Sequence, residues 1–131
     1  MSIIESKYPI LVLSYNNCEI HCCHLDGYKD NKDALLNRLT EIEDTFLSKQ
    51  NNVKYRLWFN LDGNMLDEDI MEKVCSSLFR ISNHIYKIGF IGLRIMQRRK
   101  FEKLLKKKFK HYEVLYHAYF SDAEEAKEWL V

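Results

Sequence analysis

Proline and glycine are scarce in this sequence, with one proline and four glycines among 131 residues. Disordered and collagen-like chains are rich in these two residues, so their scarcity excludes both classes. No stretch approaches the roughly 18 apolar residues that a membrane-spanning helix needs. Internal repeats, low-complexity tracts and flexible linkers are also absent from the sequence. We therefore expect a single globular domain over residues 1–131.

The opening residues lack the basic start and the apolar core of a secretory signal peptide. Three of the four cysteines, Cys18, Cys22 and Cys23, fall within six residues. Neighbours along a strand point to opposite faces, so these thiols cannot easily form unstrained disulfides with one another. The sequence predicts reduced thiols and a cytoplasmic protein.

Charge is balanced in total, with a formal net charge of only +1, but it is unevenly distributed along the chain. Residues 94–110 hold nine of the twenty Lys and Arg residues and a single acid, Glu102. The rest of the chain keeps eleven basic and eighteen acidic residues and is therefore acidic. Such asymmetry bears on partners and solubility more than on the fold.

Apolar spacing gives the order of elements. Two strand-like runs, 10–15 and 18–25, flank Asn16-Asn17, which suits a tight type I′ hairpin. Helical spacing of apolar residues predicts a first helix over 32–49 and a third over 95–109. The second helix carries the apolar stripe Ile70, Val74, Leu78, Ile81 and Ile85. A fourth, closing helix follows a capping box formed by Ser121 and Glu124. Strand patterns lie between them at 53–61, 86–92 and 112–120. This alternation predicts an α/β domain with a five-stranded mixed sheet and four helices.

Two segments resemble a known family. They are the turn Phe59-Asn60-Leu61-Asp62-Gly63 and the tail 119–130, in which a strand precedes an acidic, Ala-rich helix that closes on Trp129-Leu130. Together with the order of elements, they resemble the STAS domain superfamily, the fold of sporulation anti-sigma factor antagonists, and in particular its SpoIIAA-like branch. The resemblance covers most of the chain and implies a non-enzymatic protein-interaction module.

The same resemblance implies a contact surface at the turn Asn60, Asp62, Gly63 and Asn64 and at the start of the second helix. In the antagonists a serine of this turn is phosphorylated by a partner kinase. Leu61 and Asp62 stand at the matching positions, so the phosphoserine switch is not carried over. Asp62 supplies one negative charge against about 1.5 to 2 for a phosphoserine, and would mimic the phosphorylated state only in part.

A cluster of thiols and imidazoles raises the question of a metal site. Zinc sites usually combine two short Cys or His pairs across a longer spacer, and only one such group exists here. On a strand, Cys18, Cys22 and His24 face one side, and His21 and Cys23 face the other. The sequence therefore favours small buried cysteines on a central strand and no metal or other cofactor.

A basic face is predicted on the helix of residues 95–110. At 100° per residue six cations share one arc opposite Leu104 and Leu105: Arg99, Lys100, Lys103, Lys106, Lys107 and Lys110. Three interpretations stay open for this arc. It is a solvated face, a contact for an acidic protein including a second copy of this chain, or a site for nucleic acid or anionic lipid. Nucleic acid is the least favoured, because the arc lacks aromatics for base stacking.

Other chemistry has little support in the sequence. The acidic stretch 62–69 does not fit a calcium-binding EF-hand loop and suits the opening of a helix. Gly89-Phe90-Ile91-Gly92 lacks the lysine of a phosphate-binding loop. His84, His111 and His117 are scattered, and no nucleophile motif accompanies them. We therefore expect no enzyme activity, with small-molecule or lipid binding and nucleic-acid binding as the alternatives to a protein partner.

Overall fold

The computed structural model describes residues 9–110 and 115–131. It opens with a hairpin of two antiparallel strands, β1 (Ile10–Tyr15) and β2 (Cys18–His24), in which Tyr15 lies opposite Cys18. Asn16 and Asn17 join them with φ of 49° and 63°. Both values are left-handed, as a two-residue type I′ turn requires, and asparagine tolerates them well. The predicted hairpin and its turn are confirmed.

Helices and strands then alternate along the chain. They are α1 (Lys32–Leu47), β3 (Tyr55–Asn60), α2 (Glu68–Arg80), β4 (Ile85–Ile91), α3 (Ile95–Lys108), β5 (His117–Phe120) and α4 (Ala123–Leu130). The strands form one sheet in the order β1-β2-β3-β4-β5, with β2 to β5 parallel. The expected α/β domain with a five-stranded mixed sheet and four helices is confirmed within the described residues.

The first three helices share one face of the sheet. Each connects two adjacent parallel strands in the same direction, and right-handed crossovers therefore place all three on the same side. The core beneath them contains the fully buried rings of Phe46, Phe59, Phe90 and Phe101. The Phe90 ring meets Phe101 edge-on with centroids 4.9 Å apart. A Phe→Ala change at such a site typically costs about 3–5 kcal/mol of folding free energy.

Among the described elements, the fourth helix alone covers the other face. Ala126 and Leu130 of α4 pack on the buried side chains of Ile20, Trp58 and Ile91. This second core is smaller than the first, because α4 has only eight residues. The α4 face is therefore thinly covered toward β1.

One helix is shorter than its apolar stripe predicts. α2 ends at Arg80, Ile81 caps it, and a 3-10 turn (Ser82–His84) leads into β4 at Ile85. The prediction that Ile81 and Ile85 continue the helix was wrong. Both side chains are buried in the main core, so their spacing reflected burial rather than helical geometry.

Other boundaries also differ from expectation by one or more residues. β3 begins at Tyr55 rather than at residue 53, and β5 at His117, while residues 112–114 of the predicted strand lie outside the described part of the chain. The cap of α4 is Asp122, which accepts a hydrogen bond from the backbone N–H of Glu125 at 3.0 Å. The predicted Ser121–Glu124 capping box was one residue early, because Asp and Ser are equally good N-caps and the sequence offers both in succession.

Candidate interaction surface at the carboxyl edge of the sheet

The carboxyl ends of β2, β3 and β4 meet at one edge of the sheet because these strands are parallel. They lead into the loops 25–31, 61–67 and 92–94, each followed by the first turn of a helix. In open α/β sheets, ligands are bound outside the carboxyl ends of the strands. The turn predicted as a contact surface occupies the middle loop.

A backbone ladder ties this turn to the loop after β2. The Gly27 N–H donates to the Asp62 carbonyl at 2.9 Å, and the Lys29 N–H donates to the Gly63 carbonyl at 2.9 Å. The Met65 N–H returns a bond to the Lys29 carbonyl at 2.8 Å. The two loops therefore continue the pairing of β2 and β3 beyond the sheet.

Asn64 joins the two loops with its side chain. Its amide nitrogen donates to the carbonyls of Leu25 at 2.6 Å and of Leu61 at 3.0 Å. Its amide oxygen accepts from the Tyr28 N–H at 2.8 Å. Both ends of the side chain are thus used, and the residue is half-buried. Asn64 is a structural element of the surface rather than an exposed contact.

Glycine is required where the loop after β4 meets the turn. Gly92 has φ of 90°, and a Cβ added there would lie 2.6 Å from both the Cα and the Cβ of Asp62. Gly63 also has a left-handed φ, 71°, and an added Cβ would lie 3.3 Å from the Gly27 backbone. The three loops consequently pack backbone against backbone, which holds the turn in one shape.

The four residues predicted for partner contact divide into two pairs. Asp62 and Gly63 are exposed at the tip of the turn. Asn60 and Asn64 are half-buried, and the Asn60 side-chain oxygen accepts from the Asp62 N–H at 3.2 Å. Two of the predicted residues therefore face solvent, and the other two shape the loop that presents them.

The start of α2 carries an organised group of charges. Asp67 caps the helix by accepting from the Ile70 N–H at 2.7 Å, and this hydrogen bond, supported by Lys32, lowers the pKa of its carboxyl. Lys32 also lies 2.9 Å from Asp69, and together with Lys73 it lowers the pKa of that carboxyl. Asp67 and Asp69 are therefore engaged in capping and ion pairs, and the acidic stretch opens a helix as predicted.

One exposed apolar side chain, Met65, lines a crevice at this edge, and two more, Ile95 and Met96, follow the lining residue Arg94 at the start of α3. The crevice has a volume of about 490 Å³ and lies between the starts of α1, α2 and α3, with Lys32, Met65, Leu66 and Arg94 among its lining residues. Met65 is 69% exposed, Ile95 67% and Met96 64%. These are the three most exposed large hydrophobic side chains of the described residues.

Sequence reasoning missed these three residues, although a signal was present. Met65 falls between the Asn64 turn and the Asp67 cap, outside the buried stripe of α2. On a helical wheel Met96 falls between Lys103 and Lys107, on the solvent side of α3. An apolar residue within a charged arc indicates exposure, and the wheel would have identified it.

The basic face of α3 is exposed as predicted. All six cations, from Arg99 to Lys110, are exposed, whereas Phe101 and Leu105 are buried on the opposite side. Leu104 is only half-buried, and Lys110 lies just beyond the end of the helix at Lys108. None of the six forms an ion pair with another residue in 9–110 or 115–131.

The cysteines of β2 are split between the two faces of the sheet. Cys23 belongs to the main core and Cys22 to the smaller core under α4, as strand alternation predicts. Burial raises the pKa of Cys22 to about 11 and that of Cys75 to about 12. Among the described residues no group of three or more His, Cys, Asp or Glu is arranged to hold a metal ion.

Two of the scattered histidines, His84 and His117, have structural partners. His84 Nδ1 lies 3.1 Å from the Val53 carbonyl. His117 Nε2 lies 2.7 Å from Glu102, which also accepts from the Tyr119 hydroxyl at 2.7 Å. Burial and the Glu102 hydrogen bond raise the pKa of Tyr119 strongly. His111, the other histidine considered from the sequence, lies outside the described residues.

Comparison of the chain with family models, with curated proteins and with solved structures finds no match in any of the three. No helix within residues 9–110 and 115–131 has both the length and the apolar character needed to cross a bilayer.

Proposed function

We propose that this chain is a non-enzymatic protein-interaction module that acts in the cytoplasm and binds its partner at the carboxyl edge of the sheet. The proposal retains the likeness to anti-sigma factor antagonist domains without the phosphoserine switch. The single observation that carries it is the exposure of Met65, which lines the crevice, and of Ile95 and Met96, which follow the lining residue Arg94. Their exposure is unfavourable in an isolated domain, and a partner that covers them removes it.

The composition of this edge fits a protein partner. Methionine and arginine are enriched at protein interfaces, and Met65, Met96 and Arg94 lie here. Methionine side chains are also flexible and polarisable, so they adapt to the surface they meet. Arg94 and Lys32 at the crevice and the exposed Asp62 supply polar groups for the rim. An apolar centre with a charged rim is the usual anatomy of such an interface.

The rigidity of the turn supports the same proposal. The Asn64 hydrogen bonds and the close approach of Gly92 to Asp62 fix the loops before any partner arrives. A surface that is already ordered loses less conformational entropy on association. Asp67 and Asp69 are engaged in a cap and ion pairs, which also helps to fix the start of α2.

Site-specific photocrosslinking tests the proposal. A photoreactive phenylalanine analogue replaces Met65 in one sample and Met96 in a second, and the protein is irradiated in cells of its source. The matched control carries the analogue at Phe79, which is also an exposed apolar position but belongs to the end of α2. We expect one discrete crosslinked protein shared by positions 65 and 96 and missing from position 79.

A second arm measures whether the contact depends on these side chains. Once the crosslinked protein is identified and purified, its affinity for the wild type is compared with that for Met65→Lys and Ile95→Lys. Each change should weaken binding at least tenfold, because a charge is placed in the apolar centre of the interface. Identical crosslinks at all three positions, or unchanged affinity of both variants, would contradict the proposal.

Nucleic-acid or anionic-lipid binding through α3 is the second candidate, favoured by six exposed cations without ion pairs among the described residues. Contact of all six with phosphates gives a log-log salt dependence with a slope near −5, at about −0.9 per contact. Titration of DNA, RNA and vesicles with phosphatidylserine at two salt concentrations tests it. No salt-sensitive binding in any titration eliminates this candidate.

A further inference from the structure

The strand at one edge of the sheet is unusually unprotected. β1 pairs with β2 on one side, and no residue in 9–110 or 115–131 pairs with its outer edge. Its six residues, Ile-Leu-Val-Leu-Ser-Tyr, include no charge and no proline. Natural edge strands normally carry charges, prolines or bulges that prevent pairing with another chain. β1 uses none of these devices.

Apolar side chains on both faces of β1 are also open to solvent. Leu11 is 46% exposed, Val12 55% and Leu13 37%. Leu11 and Leu13 lie opposite Cys22 and Ile20 and so share the face of α4, whereas Val12 lies opposite His21 on the other face. α4 packs mainly against β3, β4 and β5 and leaves the two leucines partly uncovered. A neighbouring strand would cover all three.

The register of the hairpin shows which backbone groups are available. The His24 N–H donates to the Pro9 carbonyl at 3.2 Å, so residue 9 points its backbone toward β2. Along an antiparallel strand the backbone N–H and carbonyl groups of successive residues point alternately to one side and the other. The backbone groups of residues 11, 13 and 15 therefore also bond to β2. Ile10, Val12 and Ser14 direct their N–H and carbonyl groups to the open edge. Three evenly spaced donor and acceptor pairs are thus presented.

We propose that a second copy of this chain pairs antiparallel along β1, with a two-fold axis at Val12 that is perpendicular to the sheet. Val12 then faces its own equivalent, and Ile10 faces the second copy's Ser14, so that all three outward residues form hydrogen-bonded pairs. Leu11 packs against the second copy's Leu13 on the α4 face. The result is a continuous ten-stranded sheet. A register shifted by one residue places Val12 opposite Leu13, which points to the other face, and is excluded.

The charge distribution favours a second copy as the occupant. The paired surface is neutral, so two copies meet there without like-charge repulsion. The strongly basic α3 precedes β5 at the opposite edge of the sheet, three strands or more from β1. At about 4.8 Å per strand the two basic faces stay more than a Debye length apart. This dimer differs from pairing of the basic helix with an acidic surface, and it does not depend on the proposed partner site.

Sedimentation velocity over a range of concentrations tests the proposal. Pairing of two six-residue strands buries less area than a standard interface of about 1,600 Å², so we expect a weak dimer with a dissociation constant of about 100 µM. Val12→Lys places two ammonium groups at the axis and should raise the dissociation constant at least tenfold. Met96→Lys adds the same charge at an exposed apolar position on α3 and should leave it unchanged. The doubled mass should persist at high salt, because the contact is uncharged.

Cysteine crosslinking tests the register and does not depend on the Lys variant. Val12→Cys brings two thiols together with Cα atoms about 5.5 Å apart, inside the disulfide range of about 4.4–6.8 Å. Leu13→Cys leaves equivalent Cα atoms about 8 Å apart, so it should not crosslink. With a mild oxidant, Val12→Cys should migrate as a dimer on a non-reducing gel, while Leu13→Cys and the wild type stay monomeric.

Several outcomes would overturn the proposal. In sedimentation, these are a wild type that stays monomeric at about 1 mM, a dimer that dissociates at high salt, or a Val12→Lys variant that dimerises as strongly as Met96→Lys. In the crosslinking assay, it is equal crosslinking of Val12→Cys and Leu13→Cys. A chain without residues 1–8 gives one more test. If only that shortened chain dimerises, the edge of β1 is normally covered by the chain's own first residues, and the second copy is not the occupant.

Discussion

Asn64→Asp is expected to destabilise the protein although it changes the side chain by a single atom. The amide nitrogen that donates to the Leu25 and Leu61 carbonyls becomes an oxygen. Two hydrogen bonds are lost, and a negative oxygen now faces two carbonyl oxygens at close range. Only the acceptor for the Tyr28 N–H remains.

The magnitude follows from these contacts. Each carbonyl left without its donor costs about 1 kcal/mol at a half-buried site, and the repulsion of the introduced carboxylate adds about 1 kcal/mol or more. We expect a loss of about 2–4 kcal/mol in the free energy of unfolding. At about 2 kcal/mol per molar urea, the midpoint of unfolding falls by about 1–2 M.

Urea unfolding followed by tryptophan fluorescence measures this loss, and Asn60→Asp is the matched control. Within residues 9–110 and 115–131 the Asn60 side chain bonds through its oxygen, which accepts from the Asp62 N–H, and a carboxylate keeps that acceptor. The control should therefore stay within about 0.5 kcal/mol of the wild type. Equal midpoints for the two variants would refute the assigned role of Asn64 in joining the loops.

Three further results are expected. Gly92→Ala should cost about 3 kcal/mol or more, measured by urea unfolding, because its Cβ meets Asp62 at 2.6 Å on a left-handed backbone; stability within about 1 kcal/mol of the wild type would contradict the close approach. Hydrogen bonds from Arg80 lower the pKa of Glu43, so Glu43→Gln should cost about 1–2 kcal/mol at pH 7. The difference in stability from the wild type should shrink as the pH falls below about 4, the pKa of Glu43 in the unfolded chain, because the carboxylate is then progressively protonated in the folded protein too. In Ellman's assay of the native protein only the half-buried Cys18 should react quickly, since the other three thiols are buried; two or more fast thiols would argue against this core.

The fold was largely predictable because local patterns and tertiary burial agree along most of the chain. Asn16-Asn17 can adopt the left-handed turn, and alternation on β2 assigns Cys22 and Cys23 to opposite faces. The prediction was wrong where one pattern has two causes. Ile81 and Ile85 keep helical spacing, yet they are buried after α2 has ended.

The candidate surface was predictable only in part. The turn was singled out through its sequence, but only the structure shows that the Asn64 side chain links two loops and that Asp62 is exposed. Met65 and Ile95 are separated by thirty residues in the chain, and only the parallel arrangement of β3 and β4 brings their loops to the same edge. Such proximity depends on topology, which single-sequence patterns do not specify.

The strand order has a consequence for synthesis of the chain. Every strand pairs with the strand that precedes it, so the sheet can grow in the order in which residues leave the ribosome, and most loops that must close are short. Helices α1 to α3 cover their face as it grows, whereas the opposite face waits for α4, which follows all five strands in the chain. A nascent chain, or one truncated before α4, therefore exposes Ile20, Trp58 and Ile91, and should require chaperone protection until α4 has been made and has packed on them.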